Sequence, residues 1–545
     1  MGFLYQLPQL MVDGIPLYPY EDGLFHLSRI MGMSNVWHSP VNFLHFHHNG
    51  LMVNIFYPWL TMYPAYVLFR LLGSYVTAYK AYYLLLTVVT LFLAYDVMHN
   101  ISGNRLSAFC FAVLYTFSLY RFENLFHRSA LGEVTAITLW LLVFAGLYHI
   151  YFGDWRRWGF LAAGMALLAY THNLSLLIAA LVTGLVFLLS VWFWDNRWQR
   201  IRALFFAGAV AVVLSLGSLL PMLQMFSSDQ LQIPGGTGLS LLRSAPDLKT
   251  MFVKMLRNDT SGQTVGLIVF AALCVLCVFY LADAVKKTHR AGNRGMNLFA
   301  LAGVLVMFSV SQLVPWEWIG DHSFLRQLQF VWRLNTCPTL FILAAFAYYL
   351  PKMITSRKAA VLIPVVICIA AVGIHYRTFL VLLRIDHTRI FEEAVVSGEA
   401  ASMDYAPLRA KQYRDETHLP YLDGVLISEG NSAWVPFEAV PSFSADGSVY
   451  TLVLDVPASE EEYVTVDVPV FRYSNQKCTV NGELIQTSLS ERGSSLMNLV
   501  PGQVNEIRVF YQYTTLANLA HILSGAAAVL WGLLSVIKKR KTAYS

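Results

Sequence analysis

TLANLAHILSGAAAVLWGLLSVIKKRK, residues 515–541, is an apolar run long enough to cross a hydrocarbon core of roughly 30 Å, and it ends in Lys538, Lys539, Arg540 and Lys541. A basic cluster directly after a span marks the cytoplasmic side, because Lys and Arg are retained there during insertion. The reading therefore starts from a cytoplasmic C-terminus and works back along the chain. Similar runs fall near 77–98, 105–120, 134–152, 158–172, 174–194, 203–224, 264–285, 297–315, 334–350 and 359–379, which with 515–537 makes eleven expected spans. Counting back, the loops with Lys352, Arg357 and Lys358, with Lys286, Lys287, Arg290 and Arg294, with Arg197, Arg200 and Arg202, and with Arg156 and Arg157 all fall inside. The loops at 121–133, 225–262 and 316–333, the Thr171-His172-Asn173 corner and the polar region 385–514 then share the outer face.

Composition agrees. Of 545 residues only 13% are charged, about half the roughly 25% of a soluble globular protein. Hydrophobic residues make up 56%, and the mean hydropathy is +0.52. These values exclude a secreted enzyme, a cytosolic enzyme and a disordered scaffold, and nucleic acid is not an expected partner. Five of the six cysteines lie inside apolar runs, so Cys274 and Cys277 read as small core residues and no metal site is assigned. The first 50 residues lack a basic start followed by an apolar stretch, so the chain is expected to open in a polar, aromatic loop, with a signal-anchor helix upstream of residue 1.

Two segments depart from the spanning pattern. NIFYPWLTMYPAYVLFRLLG at 54–73 carries Pro58, Pro64 and Arg70 and is read as lying along the outer interface, a Pro-kinked span being the alternative. Between 385 and 514, TLVLDV (451–456), YVTVDVPVF (463–471) and EIRVFYQY (506–513) alternate as strands do, and Asn481-Gly482 is a two-residue hairpin signal. A helix is expected at 388–401. The fold class is thus a polytopic α-helical membrane protein with an extracytoplasmic β-sandwich-like domain near the C-terminus. Its division is an outer first loop with interfacial helices at 1–76, a transmembrane domain of about ten spans at 77–384, the β-rich domain at 385–514, and the final helix with its basic cytoplasmic tail at 515–545.

Candidate chemistry collects on the outer face. YEDGLFHLSRI at 20–30 places Glu21, Asp22, His26 and Arg29 within nine residues, with Asp22 positioned to cap a helix from Gly23; an N-cap followed by a solvated helix explains the same pattern. RFENLFHRSALGE at 121–133 crowds Arg121, Glu123, His127, Arg128 and Glu133 at a helix junction, where charge is costly unless used. Arg128 and Glu133 would also satisfy each other as a structural ion pair. His172 sits at the end of a short span, where an interfacial histidine needs no ligand. LRQLQFVWRLN at 325–335 brings Gln329, Trp332 and Arg333, and the planar donor fork of Arg333 suits phosphate oxygens, with snorkelling to head groups as the alternative. His38, His45, His47 and His48 form a histidine-rich loop, a weak metal signal.

Taken in order, DGLFHLSRI, FYPWL (56–60), TAYKAYYLL (77–85), YRFENLFHRSALGE (120–133), THNLS (171–175) and LQFVWR (328–333) resemble the bacterial YfhO-like membrane proteins, which are similar to GT-C glycosyltransferases. The resemblance covers nearly the whole chain. It implies a GT-C-like fold in a bacterial plasma membrane, with an acidic residue of the first outer loop beside a lipid-linked sugar. Asp22 matches that position, Glu21 and His26 accompany it as catalytic candidates, and Arg29, Arg128, Glu133, His172, Gln329 and Arg333 match polar positions that would bind substrate. The chain departs from the family in its histidine-rich insertion and in lacking a first helix.

The implied partners are a polyprenyl-phosphate sugar, an envelope glycopolymer or glycolipid acceptor and the bilayer. No cofactor is assigned, although a divalent cation is compatible with the chemistry. Asp22 would serve as base for an inverting transfer while the arginines hold the leaving phosphate. A transporter or flippase of lipid-linked saccharides would use the same cations without chemistry, and a non-enzymatic envelope scaffold would use only the β domain. Polar residues cluster at outer helix ends and not at the midplane, which favours the transferase.

Overall fold

The computed structural model describes every residue except 17–21, 233–239, 261–263, 322, 355, 377–388, 398–401, 403, 418–421, 430–432 and 544–545. Glu21 and, of the helix expected at 388–401, residues 388 and 398–401 lie outside the described residues, as do the side chains of Lys538, Lys539, Arg540 and Lys541.

Packing divides the chain into two compact units. The first holds Met1–Gly23, Val76–Val212 and Thr237–Ile390, and the second Leu24–Tyr75, Val213–Gly236 and Phe391–Ser545. Seven helices among the described residues are long and apolar enough to cross a membrane: Tyr75–Ser102, Leu131–Tyr151, Asn173–Phe193, Arg197–Ser228, Gly266–Lys286, Val331–Met353 and Thr515–Ser535. The protein is therefore a multispanning membrane protein.

The other four expected spans are helical but shorter. Arg105–Thr116 has 12 residues, Gly159–Ala169 has 11, Arg294–Ser309 has 16 and Arg357–Gly373 has 17. At about 1.5 Å per residue these reach only about 16 to 26 Å. The first stops because the backbone breaks at Phe117 before a new turn at Leu119–Phe122, and the second ends at the Thr171-His172 turn.

In the helical unit, Leu131–Tyr151 and Gly159–Ala169 touch backbone to backbone. A Cβ on Gly146 would come within 2.3 Å of the Leu161 nitrogen, and one on Gly164 within 2.8 Å of the Val143 nitrogen, so small residues set this crossing as they do in membranes generally.

The expected polar loop at the N-terminus is corrected: Gly2–Met11 is a helix. Its polarity is reversed relative to a soluble helix. Tyr5, Gln6 and Gln9 are buried, while Phe3, Leu4 and Met11 are exposed. Tyr5 packs 4.5 Å from the Phe117 ring, and Gln6 Nε2 donates to Thr87 Oγ1 at 2.9 Å. Hydropathy misses such a helix because its inward face is the polar one.

The second unit contains two five-stranded antiparallel sheets. One is ordered Ser488–Leu489, Ser494–Leu499, Val464–Phe471, Val425–Glu429, Val435–Phe437; the other Ser442–Phe443, Val449–Asp455, Val504–Tyr511, Gln476–Val480, Glu483–Ile485. Alternation decides which side chains face inward: Tyr450, Leu452 and Leu454 are buried while Val453 is exposed. Asn481 (φ 53°) and Gly482 (φ 87°) join two strands, both in the left-handed region that a tight hairpin requires. Among the described residues of 388–401, Glu392–Val396 is helical, after a two-residue strand at Arg389–Ile390.

The histidine-rich loop belongs to this β core. Phe43, Phe46, Leu51 and Met52 pack with Val466, Val468 and Tyr473, and the Phe471 amide donates to Asn49 O at 2.8 Å. Burial and the nearby Arg29 charge push His45 down to about 3, so it is a neutral packing residue. No group of three or more His, Cys, Asp or Glu among the described residues is placed to hold a metal ion. The 54–73 segment breaks at Tyr57-Pro58, and its longest helix, Tyr63–Leu72, spans only about 15 Å.

Candidate functional site

The 121–133 stretch departs from α-helical geometry where its charges lie. Leu119–Phe122 runs into a π-helical turn, Glu123–His127, in which the Arg128 amide reaches back five residues to Glu123 O at 2.8 Å. A π-turn is a costly irregularity often found at functional sites. Ser129 follows with φ 53°, strained for a non-glycine residue, and the Tyr79 hydroxyl holds its carbonyl at 2.9 Å. The helix Leu131–Tyr151 then begins, with Glu133 in its first turn, where a carboxylate is favoured by the helix dipole.

Four charges form a ladder within the helical unit. Arg128 Nη2 donates to Asp22 Oδ2 at 3.2 Å and Arg128 Nη1 to Glu133 Oε2 at 2.5 Å. Arg333 Nε donates to Glu133 Oε1 at 2.6 Å. The Asp22 amide also donates to Arg128 O at 3.1 Å, so Asp22 is tied twice to one residue. Asn124 Oδ1 accepts from Arg128 at 2.7 Å, and Gln329 Oε1 and Leu328 O accept from Arg333 Nη1 at 2.5 and 3.0 Å. Trp332 lies beneath the Arg128 guanidinium, 4.4 Å from ring centroid to Cζ. Such stacking on a desolvated face adds to the charge pairing.

Exposure separates the two carboxylates. The Glu133 side chain is 6% exposed with both oxygens engaged, whereas that of Asp22 is 46% exposed. Asp22 Oδ1 has no donor among the described residues, nor does Arg333 Nη2 an acceptor. Packed protein on one side of the Asp22 carboxyl raises its pKa above the ordinary aspartate value; Arg128 pulls it down, Glu133 pushes it up, and burial prevails. The open side tempers that shift because water screens it. At Arg128 burial pulls the pKa down, but Glu133 and Asp22 more than offset it and fix the charge.

His172 is buried before the helix Asn173–Ser190, with Nδ1 2.9 Å from Ser175 Oγ, and it interacts electrostatically with Glu133. Asp22, Arg128, Glu133, His172, Gln329 and Arg333 therefore all belong to the helical unit. The Asp22 side chain bonds to Arg128 and does not act as the expected helix cap.

His26 and Arg29 belong to the second unit, and both are 1% exposed. Arg29 donates to Asn54 Oδ1 at 3.2 Å, Tyr57 O at 2.7 Å and Pro58 O at 3.0 Å, with its Cζ 4.3 Å from the Tyr57 ring centroid. Burial lowers its pKa to about 10. Through Nε and Nη2 it fastens the Pro58 break. His26 packs against Phe25 and Tyr57.

Sequence reasoning missed Asn124 as an acceptor, though its four-residue spacing to Arg128 was a usable signal. Nothing in the sequence places Trp332 beneath Arg128, and no sequence rule announces the π-turn.

The fold and the site define a multispanning membrane protein with a neutral Asp-Arg-Glu-Arg ladder at the starts of the helices Leu131–Tyr151 and Val331–Met353. Among solved structures it is similar to the arabinofuranosyltransferase AftD from Mycobacteria, with a TM-score of 0.44 and 17% identity over 70% of this chain and 26% of that one. It is also similar to ArnT from Cupriavidus metallidurans bound to undecaprenyl phosphate, with a TM-score of 0.37 and 13% identity over 73% of this chain and 74% of that one. The chain thus spans about a quarter of the length of the first. No protein-family model matches the chain, and no curated protein matches it.

Proposed function

We propose that this protein is a GT-C-like membrane glycosyltransferase that moves a sugar from a polyprenyl-phosphate donor to an extracytoplasmic envelope acceptor, with inversion. The observation that carries the reading is the asymmetry of the ladder. One carboxylate, Glu133, is saturated and buried; the other, Asp22, presents a free oxygen to solvent beside two guanidinium groups.

A glycosyl phosphate leaves as a stable anion, so the site needs cations at the departing oxygen and a base at the attacking one. Arg333 Nη2 and Arg128 Nη2 face that need, the latter by exchanging its contact with Asp22 for one to phosphate. The acceptor hydroxyl attacks the anomeric carbon from the face opposite the phosphate. The carbon–oxygen bond to phosphate breaks with its electron pair passing to the leaving group, and the hydroxyl proton goes to Asp22 Oδ1. Glu133 keeps both arginines fixed and charged throughout, and Gln329 and Leu328 O fix the plane of the Arg333 fork.

The test is sugar transfer by the purified full-length chain from radiolabelled polyprenyl-phosphate sugars to envelope glycolipid extracts. Label in the acceptor supports the reading. Donor binding or transbilayer movement without any acceptor labelling, across a panel of donors, replaces it with a transporter.

A further inference from the structure

The helix Leu248–Arg257 lies outside the ladder and is too short, at ten residues, to cross a bilayer. Its position in the helical unit is fixed by two apolar helices. Phe252 packs 6.0 Å from Phe270 near the start of Gly266–Lys286 and 6.3 Å from Phe308 near the end of Arg294–Ser309. Asn258 Oδ1 accepts from the Leu267 amide at 3.1 Å, and Gln312 donates to Ala245 O and Pro246 O, each at 3.0 Å. The helix thus packs against the start of one apolar helix and the end of another, and the ends of membrane-spanning helices lie where hydrocarbon gives way to head groups.

Its two faces match that depth. Met251 and Met255 are buried against the unit, while Leu256 is 57% and Val253 36% exposed. Lys249, Lys254 and Arg257 project beside them and line a recess of about 400 Å³. Asp247 and Asp259 line it too, Asp247 holding the Thr250 amide at 3.0 Å and its hydroxyl at 2.6 Å, so three cations face two carboxylates and the recess keeps a net positive charge. Exposed apolar side chains interleaved with cations on a helix at the interface have the chemistry of an anionic lipid, whose phosphate meets the cations while its chains cover the apolar residues.

We propose that this helix binds the head group of an anionic phospholipid in the leaflet it borders. The lining of the recess shares no residue with the ladder.

The full-length protein is exchanged into vesicles of mixed phosphatidylglycerol and phosphatidylcholine and then extracted, and the ratio of the two lipids it retains is read by native mass spectrometry. Because the readout is a ratio within one sample, a partial loss of folded protein cancels. The wild type is expected to retain phosphatidylglycerol in excess. K249Q, K254Q and R257Q are each expected to reduce that preference by roughly fivefold at most, the effect of one cation near a membrane surface, and the triple variant to abolish it. L256S is expected to lower retention of both lipids. An unchanged lipid ratio in the triple variant overturns the proposal. So does displacement of the lipid by inorganic phosphate but not by chloride of equal ionic strength, since that would mark a site for a soluble anion.

Discussion

Glu133 Oε1 accepts from Arg333 Nε at 2.6 Å while its other oxygen holds Arg128, so a single buried carboxylate neutralises two guanidinium groups. Breaking a buried pair by removing one partner typically costs about 3 to 5 kcal/mol, because the remaining charge stays desolvated and unpaired. Glu133→Gln keeps the shape and removes the charge. It should therefore lower the thermal unfolding midpoint of the purified protein markedly, and transfer should fall with it. A midpoint within a degree of wild type would mean that Glu133 does not hold the ladder.

Asp22→Asn should behave in the opposite way. Its side chain is half exposed and makes one side-chain contact at 3.2 Å, so the loss of stability should stay below about 1 kcal/mol. The rate of transfer should fall about 10²- to 10⁴-fold, as when a general base is removed, with donor affinity retained or increased. Comparable transfer by the variant and wild type would remove Asp22 from the chemistry.

The pH profile follows from the same carboxyl. Asp22 must be ionised to accept a proton, and burial moves its pKa upward. Activity should thus rise with pH through that raised value and fall below it, with the acid limb displaced above the range of an ordinary aspartate. The residual activity of Asp22→Asn should lack this limb. Steady-state rates across a pH series for both proteins check it, and an acid limb shared by both would belong to another group.

Arg29 was a reasonable candidate in the sequence and has another use in the structure. Its guanidinium supports two carbonyls and an amide around Pro58, so Arg29→Gln strands buried acceptors, at about 1 to 3 kcal/mol in stability. The expected outcome is a lower unfolding midpoint with an unchanged donor KM in the protein that remains folded. A raised KM would return Arg29 to the binding site.

Legibility tracked the range over which each signal acts. Spans announce themselves by length and hydropathy, and strands such as Val449–Asp455 by alternation, since both are properties of a few consecutive residues. Arg128, Glu133 and Arg333 stood out because charge at an apolar helix end is expensive. What failed to show was decided far along the chain. The histidine-rich loop joins a core whose strands lie some four hundred residues later, as the Phe471 to Asn49 bond illustrates, and the N-terminal helix hides its polar face inward. The π-turn at Glu123–His127 has no sequence rule to announce it.

Arg333→Lys tests the geometry of the ladder apart from its charge. Lysine supplies one ammonium in place of the planar fork that meets Glu133, Gln329 and Leu328 O together, so the substitution keeps the cation and loses the arrangement. One charge-assisted contact is worth about 1.5 to 3 kcal/mol, which sets the expected fall in kcat/KM at roughly 10- to 150-fold. If Arg333 meets the phosphate in the ground state, the loss should appear mainly in donor KM; if it acts on the charge that develops as the bond breaks, kcat should carry it. Full activity in the lysine variant would show that only the charge at this position is used.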